Sequence, residues 1–152
     1  MAIDRIEKDV LIAAPLERVW ELITTAEHLG RWFGNAGAEI ELRPGGALAL
    51  HWQEQGSVYG RVEAVEPPRR FAFRWVLAGE PQAEPTPANS TLTEFTLAAE
   101  GDGTRVAVVE SGFDGLDVEA AERATLLASH IPGWENELGE LAAHARGAAA
   151  QP

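Results

Sequence analysis

The 152-residue chain contains no cysteine. This absence excludes disulfides, thiolate nucleophiles and cysteine-based zinc or iron–sulfur sites together. No apolar run approaches the roughly 20 residues that span a bilayer. The N-terminus MAIDRIEKDVLIAAP also lacks the continuous apolar core of a signal peptide. We therefore expect a cytoplasmic protein that does not interact with a membrane.

Basic residues are scarce as well. Lysine and arginine number 12 against 24 acidic residues, which gives a formal charge of −12. Such a surface is repelled by the phosphates of nucleic acids and by anionic lipid headgroups. Neutral or apolar small molecules are insensitive to this field, and a basic patch on another protein would be attracted. The charge therefore argues against nucleic acid as a partner and leaves small molecules and proteins.

Motifs for catalysis and metal binding are also missing. The four histidines are His28, His51, His130 and His144. They show no paired ligand spacing, and there is neither an HExxH motif nor a G-x-S-x-G nucleophile turn. Glu140 and His144 lie four residues apart, which is typical of a surface pair on a helix. The sequence thus predicts no metal and no cofactor, and it favours a binding protein over an enzyme.

The N-terminal third predicts a strand followed by two short helices. Residues 6–12 carry apolar side chains at period two, which is typical of a strand. In residues 15–25 the apolar positions recur at i, i+3, i+4 and i+7, the stripe of an amphipathic helix. Residues 26–33 predict a second helix that Gly34 ends.

The middle of the chain predicts about six antiparallel strands joined by short turns. Proline and glycine pairs punctuate it regularly, and residues 78–90 are rich in proline and predict an exposed loop. The predicted strands cover residues 38–42, 47–52, 58–65, 71–75, 91–99 and 104–111.

The last third predicts one long helix from residue 118 onward. Its apolar stripe consists of Leu127, Ile131, Trp134, Leu138, Leu141 and Ala145. Pro132 lies inside this pattern, so we expect a kink or a restart near residues 130–133. We interpret residues 1–147 as a single domain and residues 148–152 as a frayed tail. The apolar face of the helix needs a surface to cover it, and the sheet is the available one.

Several blocks of sequence resemble one superfamily. They are APLERVWELIT (14–24), HLGRWFG (28–34), RPGG (43–46), VEPPRRFAFRW (65–75), TEFTLAAEGDGTRVAVVESGF (93–113) and PGWENELGEL (132–141). In this order they resemble the START-like or SRPBCC superfamily, in particular the branch related to the C-terminal domain of the activator of heat-shock-protein-90 ATPase. The resemblance implies an α+β helix-grip (START-like/Bet v 1-like) fold. We therefore expect a curved antiparallel sheet of about six to seven strands around the long helix, in the order β-α-α-β-β-β-β-β-β-α.

The resemblance also implies a cavity between the sheet and the long helix. The apolar candidates for its wall are Trp32, Phe33, Trp52, Phe73, Trp75, Phe95, Phe113, Leu127, Ile131 and Trp134. The polar candidates are Tyr59, Arg74, Glu110 and His130. Within HLGRWFG we expect Trp32 to pack inward and Phe33 to lie nearer the entrance.

Three functions are compatible with these observations. The first is binding of an apolar or amphipathic small molecule, since pockets of this kind are mostly apolar with a few polar groups. The second is a cyclase-like or hydrolase-like enzyme that uses acidic and basic groups of the cavity. The third is a protein-interaction module, as a chaperone partner or a homodimer. The activator uses an additional N-terminal domain to engage the chaperone. One helix-grip domain accounts for nearly all of the 152 residues of this sequence, so we do not expect stimulation of a chaperone ATPase.

Overall fold

A computed structural model describes residues 5–54 and 56–149. In this part of the chain, the helices are α1 (Leu16–Thr24), α2 (Ala26–Trp32) and α3 (Ala120–Ala149), with a short 3-10 turn at Phe113–Gly115. The strands are β1 (Arg5–Ile12), β2 (Ala38–Ile40), β3 (Ala47–Trp52), β4 (Gly56–Glu66), β5 (Arg70–Val76), β6 (Ser90–Glu100) and β7 (Gly103–Ser111). The predicted helix-grip fold and its element order are confirmed.

The strands form one antiparallel sheet in the order β1-β7-β6-β5-β4-β3-β2. Strands β2 to β7 follow one another as a meander; short connections join them, except between β5 and β6, where the predicted proline-rich loop spans residues 77–89. At the β6–β7 hairpin the backbone reverses at Gly101 with φ 61°, a left-handed conformation that glycine adopts at little cost. The first strand then pairs with the last, from Arg5 opposite Ser111 to Ile12 opposite Thr104.

Alternation along the strands decides which side chains face α3. On β7 the buried residues are Thr104, Val106, Val108 and Glu110, while their neighbours are half-buried. Phe71, Phe73 and Trp75 share the inner face of β5 in the same way. The carboxylate of Glu110 therefore lies inside the molecule because it occupies an inward position of a strand that is otherwise apolar on that face.

Helix α3 packs across the inner face of the sheet through Trp134, Leu138, Leu141 and Ala145, all buried. It runs without interruption through Pro132, so the alternative of a restart near residues 130–133 is wrong. Proline removes a single backbone donor, and the buried stripe that follows it keeps the helix docked on the sheet.

The two ends of the chain lie partly beyond the described range. Of the predicted tail, residues 148 and 149 belong to α3, and residues 150–152 lie outside the described residues. The extent of the domain, residues 1–147, stays a prediction. Among the helices described here, none is long and apolar enough to cross a membrane.

Candidate functional site

A partly open cavity of about 240 Å³ lies between α3, the end of α2 and strands β3 to β5. Its aromatic wall consists of Phe33, Trp52, Trp75 and Trp134, and Val58 and Leu77 add aliphatic surface. Helix α3 also contributes Ser129, His130, Gly133 and Glu137. The cavity is thus apolar on the sheet side and carries its polar groups on one helix.

Phe33 is the central ring of this wall. Its centroid lies 5.7 Å from Trp52, 5.5 Å from Trp75 and 5.3 Å from Trp134. The ring of Trp32 stacks against Phe33 at 5.3 Å, and its indole Nε1 donates to the carbonyl oxygen of Leu22 at 2.7 Å. The structure therefore places Phe33 on the cavity wall and Trp32 in the core, 2% exposed.

The close approach of α2 to β3 fixes the position of this aromatic pair. A Cβ atom added at Gly34 would lie 2.7 Å from the carbonyl oxygen of His51, and one at Gly30 would lie 2.7 Å from Gly37 Cα. Real Cβ atoms do not approach backbone so closely. Glycine at these positions lets the HLGRWFG segment (residues 28–34) seat its rings against the sheet.

Behind the aromatic wall, Glu110 is fully buried, with 0% of its surface exposed. Its Oε2 accepts hydrogen bonds from Trp75 Nε1 at 2.9 Å and Thr91 Oγ1 at 2.6 Å. Its Oε1 accepts from His130 Nδ1 at 2.7 Å and Trp134 Nε1 at 2.9 Å. We call these five residues the Glu110 network; it joins β5, β6 and β7 to α3.

Two opposing effects set the ionisation of Glu110. Burial by itself raises the pKa of the carboxyl group, because a charge is costly away from water. The hydrogen bond and charge of His130, with the hydrogen bonds from Thr91 and Trp134, outweigh burial and leave the pKa of Glu110 below its usual value. Glu110 is therefore an ionised anchor for the cavity wall, and its oxygens are occupied by protein donors.

Glu137 has the opposite environment. Burial, followed by the negative charge of Glu140, raises its pKa to about 8. Its Oε2 atom is buried and has no hydrogen-bond partner among the described residues. Glu137 borders the cavity, and one oxygen of its carboxyl group is left unsatisfied and covered from solvent.

A second histidine contact lies near the other end of α3. His28 Nδ1 of α2 and His144 Nε2 share a hydrogen bond at 2.8 Å, and Glu21 Oε1 lies 3.7 Å from His28 Nε2. The sequence indicated Glu140 as the partner of His144, whereas the partner is this distant histidine. Burial, then the charges of His28 and of nearby arginines, lower the pKa of His144. In the described part of the chain, no group of three or more acidic or histidine side chains could hold a metal ion.

The structure distributes the predicted site residues over three places. Phe33, Trp52, Trp75, His130 and Trp134 line the cavity. The others on the inner side are core residues: Trp32, Phe73, Phe95 and Phe113 are buried, and Leu127 and Ile131 are half-buried against the core. Phe113 supports the site indirectly, since its ring lies 5.7 Å from that of His130.

Tyr59 and Arg74, predicted as polar groups of the cavity, lie instead on the opposite face of the sheet. Val58 lines the cavity, so its neighbour Tyr59 points the other way and contacts the His51 ring at 6.4 Å. Arg74 lies between the inward Phe73 and Trp75; its Nε is 3.5 Å from Glu63 Oε1 and its Nη1 is 3.5 Å from Ser90 Oγ. Strand alternation removes both from the site.

Glu137 is the charged cavity residue that sequence reasoning missed; Val58, Leu77, Ser129 and Gly133 also line the cavity and were not predicted. It follows Trp134 by three residues and His130 by seven, so it shares their helix face. A carboxylate on the helix face that points to the cavity was the available signal.

Comparison with known proteins supports the same scaffold. The family described as Activator of Hsp90 ATPase homolog 1-like protein matches residues 13–146. Among the curated proteins, none matches this chain. The crystal structure of CalU16 from Micromonospora echinospora is 29% identical, with a TM-score of 0.69, over 93% of this chain and 75% of that chain.

Two further structures, both under 25% identical, support the fold. DynU16, a protein in the dynemicin biosynthetic locus, is 24% identical with a TM-score of 0.73 over 95% of this chain. The match covers 48% of DynU16, so this chain spans about half of its length. The Aha1 dimer from Colwellia psychrerythraea is 20% identical with a TM-score of 0.70, over 91% of this chain and 93% of that chain.

Proposed function

This chain belongs to the Activator of Hsp90 ATPase homolog 1-like family, and we propose that on this scaffold it binds an apolar or amphipathic small molecule between α3 and the sheet. The observation that carries the proposal is the aromatic wall of Phe33, Trp52, Trp75 and Trp134 around a partly open cavity. Ligand pockets are usually lined by such rings with a few polar groups that set orientation. Here His130 and Glu137 supply those polar groups.

The size of the cavity limits the ligand. Its volume of about 240 Å³ lies just below the range of about 300–1,000 Å³ that is typical of ligand pockets. We therefore expect a compact ligand of one or two fused rings, or a short amphipathic chain of similar volume.

Titration with naphthalen-2-ylmethanol tests this proposal through intrinsic tryptophan fluorescence. We expect a saturable change in emission, because three tryptophans border the cavity. Val58→Phe should abolish the change by filling the space, whereas Tyr59→Phe, on the next residue but the opposite face of β4, should leave it unchanged. Equal binding by Val58→Phe and the unmodified protein would refute the proposal, and so would the absence of binding by this alcohol and by its amine and carboxylate analogues.

An enzyme of the cyclase or hydrolase type is a second candidate. It is favoured by the position of Glu137 and His130 on the same cavity, since general acid–base catalysis needs two such groups within reach of one substrate. A carboxyl group with a pKa of about 8 would act as the acid at neutral pH. Mass spectrometry of the incubated probes decides between the two: conversion that Glu137→Gln abolishes favours the enzyme, and recovery of unchanged ligand favours the binding protein.

Two further kinds of partner stay predictions: a chaperone or other protein, and a second copy of this chain. The solved Aha1 from Colwellia psychrerythraea is a dimer. At 20% identity, this similarity supports the fold of the chain and not its oligomeric state. Sedimentation analysis of the purified chain would test self-association directly.

A further inference from the structure

We propose that the ligand of this cavity carries a basic nitrogen, bound as a cation by the carboxylate of Glu137 and by the aromatic wall. This inference rests on the proposed function, because it names the chemical class of the ligand for the same cavity. It is carried by the contrast between two carboxyl groups, the fully buried Glu110 and the half-buried Glu137. The oxygens of Glu110 are occupied by protein donors, whereas Glu137 Oε2 has no partner among the described residues.

The unsatisfied oxygen indicates that a donor comes from outside the chain. A buried acceptor without a hydrogen bond costs free energy that the fold must offset elsewhere. Glu137 lies on the cavity side of α3, beside His130 and Trp134. A bound ligand with an N–H group near this helix would complete the hydrogen bonding once the carboxyl group turns toward the cavity.

The charges and rings around Glu137 favour a cationic donor. Aromatic faces attract cations, and this attraction strengthens where water is excluded. Glu140 adds a negative charge nearby. Among the described lining residues, the basic group is His130, whose Nδ1 already donates to Glu110. An anionic ligand would therefore lie near the carboxyl groups of Glu137 and Glu140, and no free basic group among the described lining residues would offset its charge.

Binding of a cation should be coupled to release of a proton. Burial raises the pKa of Glu137 to about 8, so the unoccupied site holds a carboxylic acid at pH 7. An ammonium group pairs with the carboxylate form: the acid loses one proton to solvent and an ion pair replaces it. The titratable groups that bear on Glu137 are His130 and Glu140 of α3, and Glu110 of β7 is hydrogen-bonded to His130. The other elements around the cavity present Phe33 at the end of α2, Trp52 of β3, Val58 of β4 and Trp75 of β5, none of which titrates.

Three probes with one ring system test the charge preference by isothermal titration calorimetry at pH 7. They are naphthalen-2-ylmethanamine, naphthalen-2-ylmethanol and 2-naphthoate. We expect the amine to bind about tenfold more tightly than the alcohol and the carboxylate to bind most weakly. Glu137→Gln should bring the amine to the affinity of the alcohol. Glu135→Gln is the matched control, because Glu135 lies on an exposed part of α3 and pairs with Lys8 at 2.7 Å.

Proton release is measured on the unmodified protein and does not depend on how the variant folds. Titration of the amine in two buffers of different ionisation enthalpy should show close to one proton released per amine bound, and none for the alcohol. Equal affinities for amine and alcohol, binding of the amine without proton release, or an amine preference that persists in Glu137→Gln would overturn the inference and leave the proposed function intact. If none of the three probes binds, the proposed function itself fails.

Discussion

Helix α3 makes one histidine contact in each half, and the two differ in the groups that meet there. His130, in the first half, donates to a buried carboxylate that three further side chains also contact. His144, in the last turns, meets another histidine at 2.8 Å. The first contact joins groups of complementary character, and the second joins two groups that repel each other once both are protonated.

The two halves of α3 are held by different means. At the Glu110 network, burial of a charge is balanced by several donors. Removal of the acceptor would leave Thr91, His130 and Trp134 without this partner, while Trp75 Nε1 would keep its hydrogen bond to Thr91 Oγ1 at 2.9 Å. At the His28–His144 pair, the hydrogen bond needs at least one neutral imidazole. We therefore expect the cavity half of α3 to depend on a single residue, Glu110, and the distal half to depend on pH.

The largest expected effect is the loss of Glu110. Glu110→Ala removes the acceptor of four buried or half-buried donors in the described structure, so we expect the free energy of unfolding to fall by about 3–5 kcal/mol. Urea denaturation measures this. Glu94→Ala is the control, because that strand carboxylate pairs with Arg70 on the outer face and should cost less than about 1 kcal/mol. Equal losses for the two variants would show that the network does not hold α3.

An intermediate effect is expected at high pH from Glu137. Its pKa is raised from 4.5 to about 8 in the folded protein, so between these values the folded state keeps a proton that the unfolded chain has released. Stability therefore falls as the pH rises through this window. At pH 9 we expect Glu137→Gln to be more stable than the unmodified protein by about 1–2 kcal/mol after allowance for solvent screening.

Denaturation at pH 5 and pH 9 measures the difference between the two proteins. Their gap should be much smaller at pH 5, because this pH lies just above the ordinary pKa of 4.5 and little of the difference in unfolding free energy has built up there. The exposed Glu135→Gln should show no such pH-dependent gain. If the difference in the free energy of unfolding between Glu137→Gln and the unmodified protein is the same at both pH values, the surroundings of Glu137 do not raise its pKa.

The smallest effect is expected at low pH from the histidine pair. The pKa of His144 is lowered in the fold, so the unfolded chain takes up a proton more readily and stability declines as the pH falls through 6.5 and below. His144→Gln should reduce this acid sensitivity by less than about 1 kcal/mol. His28→Gln should act in the same direction, because it removes the other member of the pair. Thermal unfolding at pH 7.5 and 5.5 measures both effects. If both variants lose as much stability at pH 5.5 as the unmodified protein does, the histidine pair is not the cause of the acid sensitivity.

The order of elements was predictable because periodicity reports burial directly. Apolar side chains at period two marked the strands, and the stripe of Trp134, Leu138 and Leu141 marked α3. Alternation also placed Glu110 with Val106 and Val108, which made its burial foreseeable. Alternation also placed Arg74 on the face of β5 opposite to Phe73 and Trp75. The prediction of Arg74 as a cavity group therefore disagreed with the strand pattern itself.

The residues of the site were less predictable because they depend on distances between elements. The pair of His28 and His144 spans 116 positions, and no local pattern links them. Glu137 was missed because a carboxylate on a helix is ordinarily solvated, and only the packing of α3 against the aromatic wall shows that one of its oxygens lacks a partner.

The sequence by itself determined the elements, their order and the inward face of each strand, since these follow from backbone geometry and the pattern of apolar residues. Tertiary structure decided which ring of the HLGRWFG segment meets the cavity, which donors occupy Glu110, and that Glu137 is left unsatisfied. The physical reason is that ionisation and hydrogen bonding of buried groups depend on neighbours brought within about 3 Å by packing, and those neighbours come from separate parts of the chain.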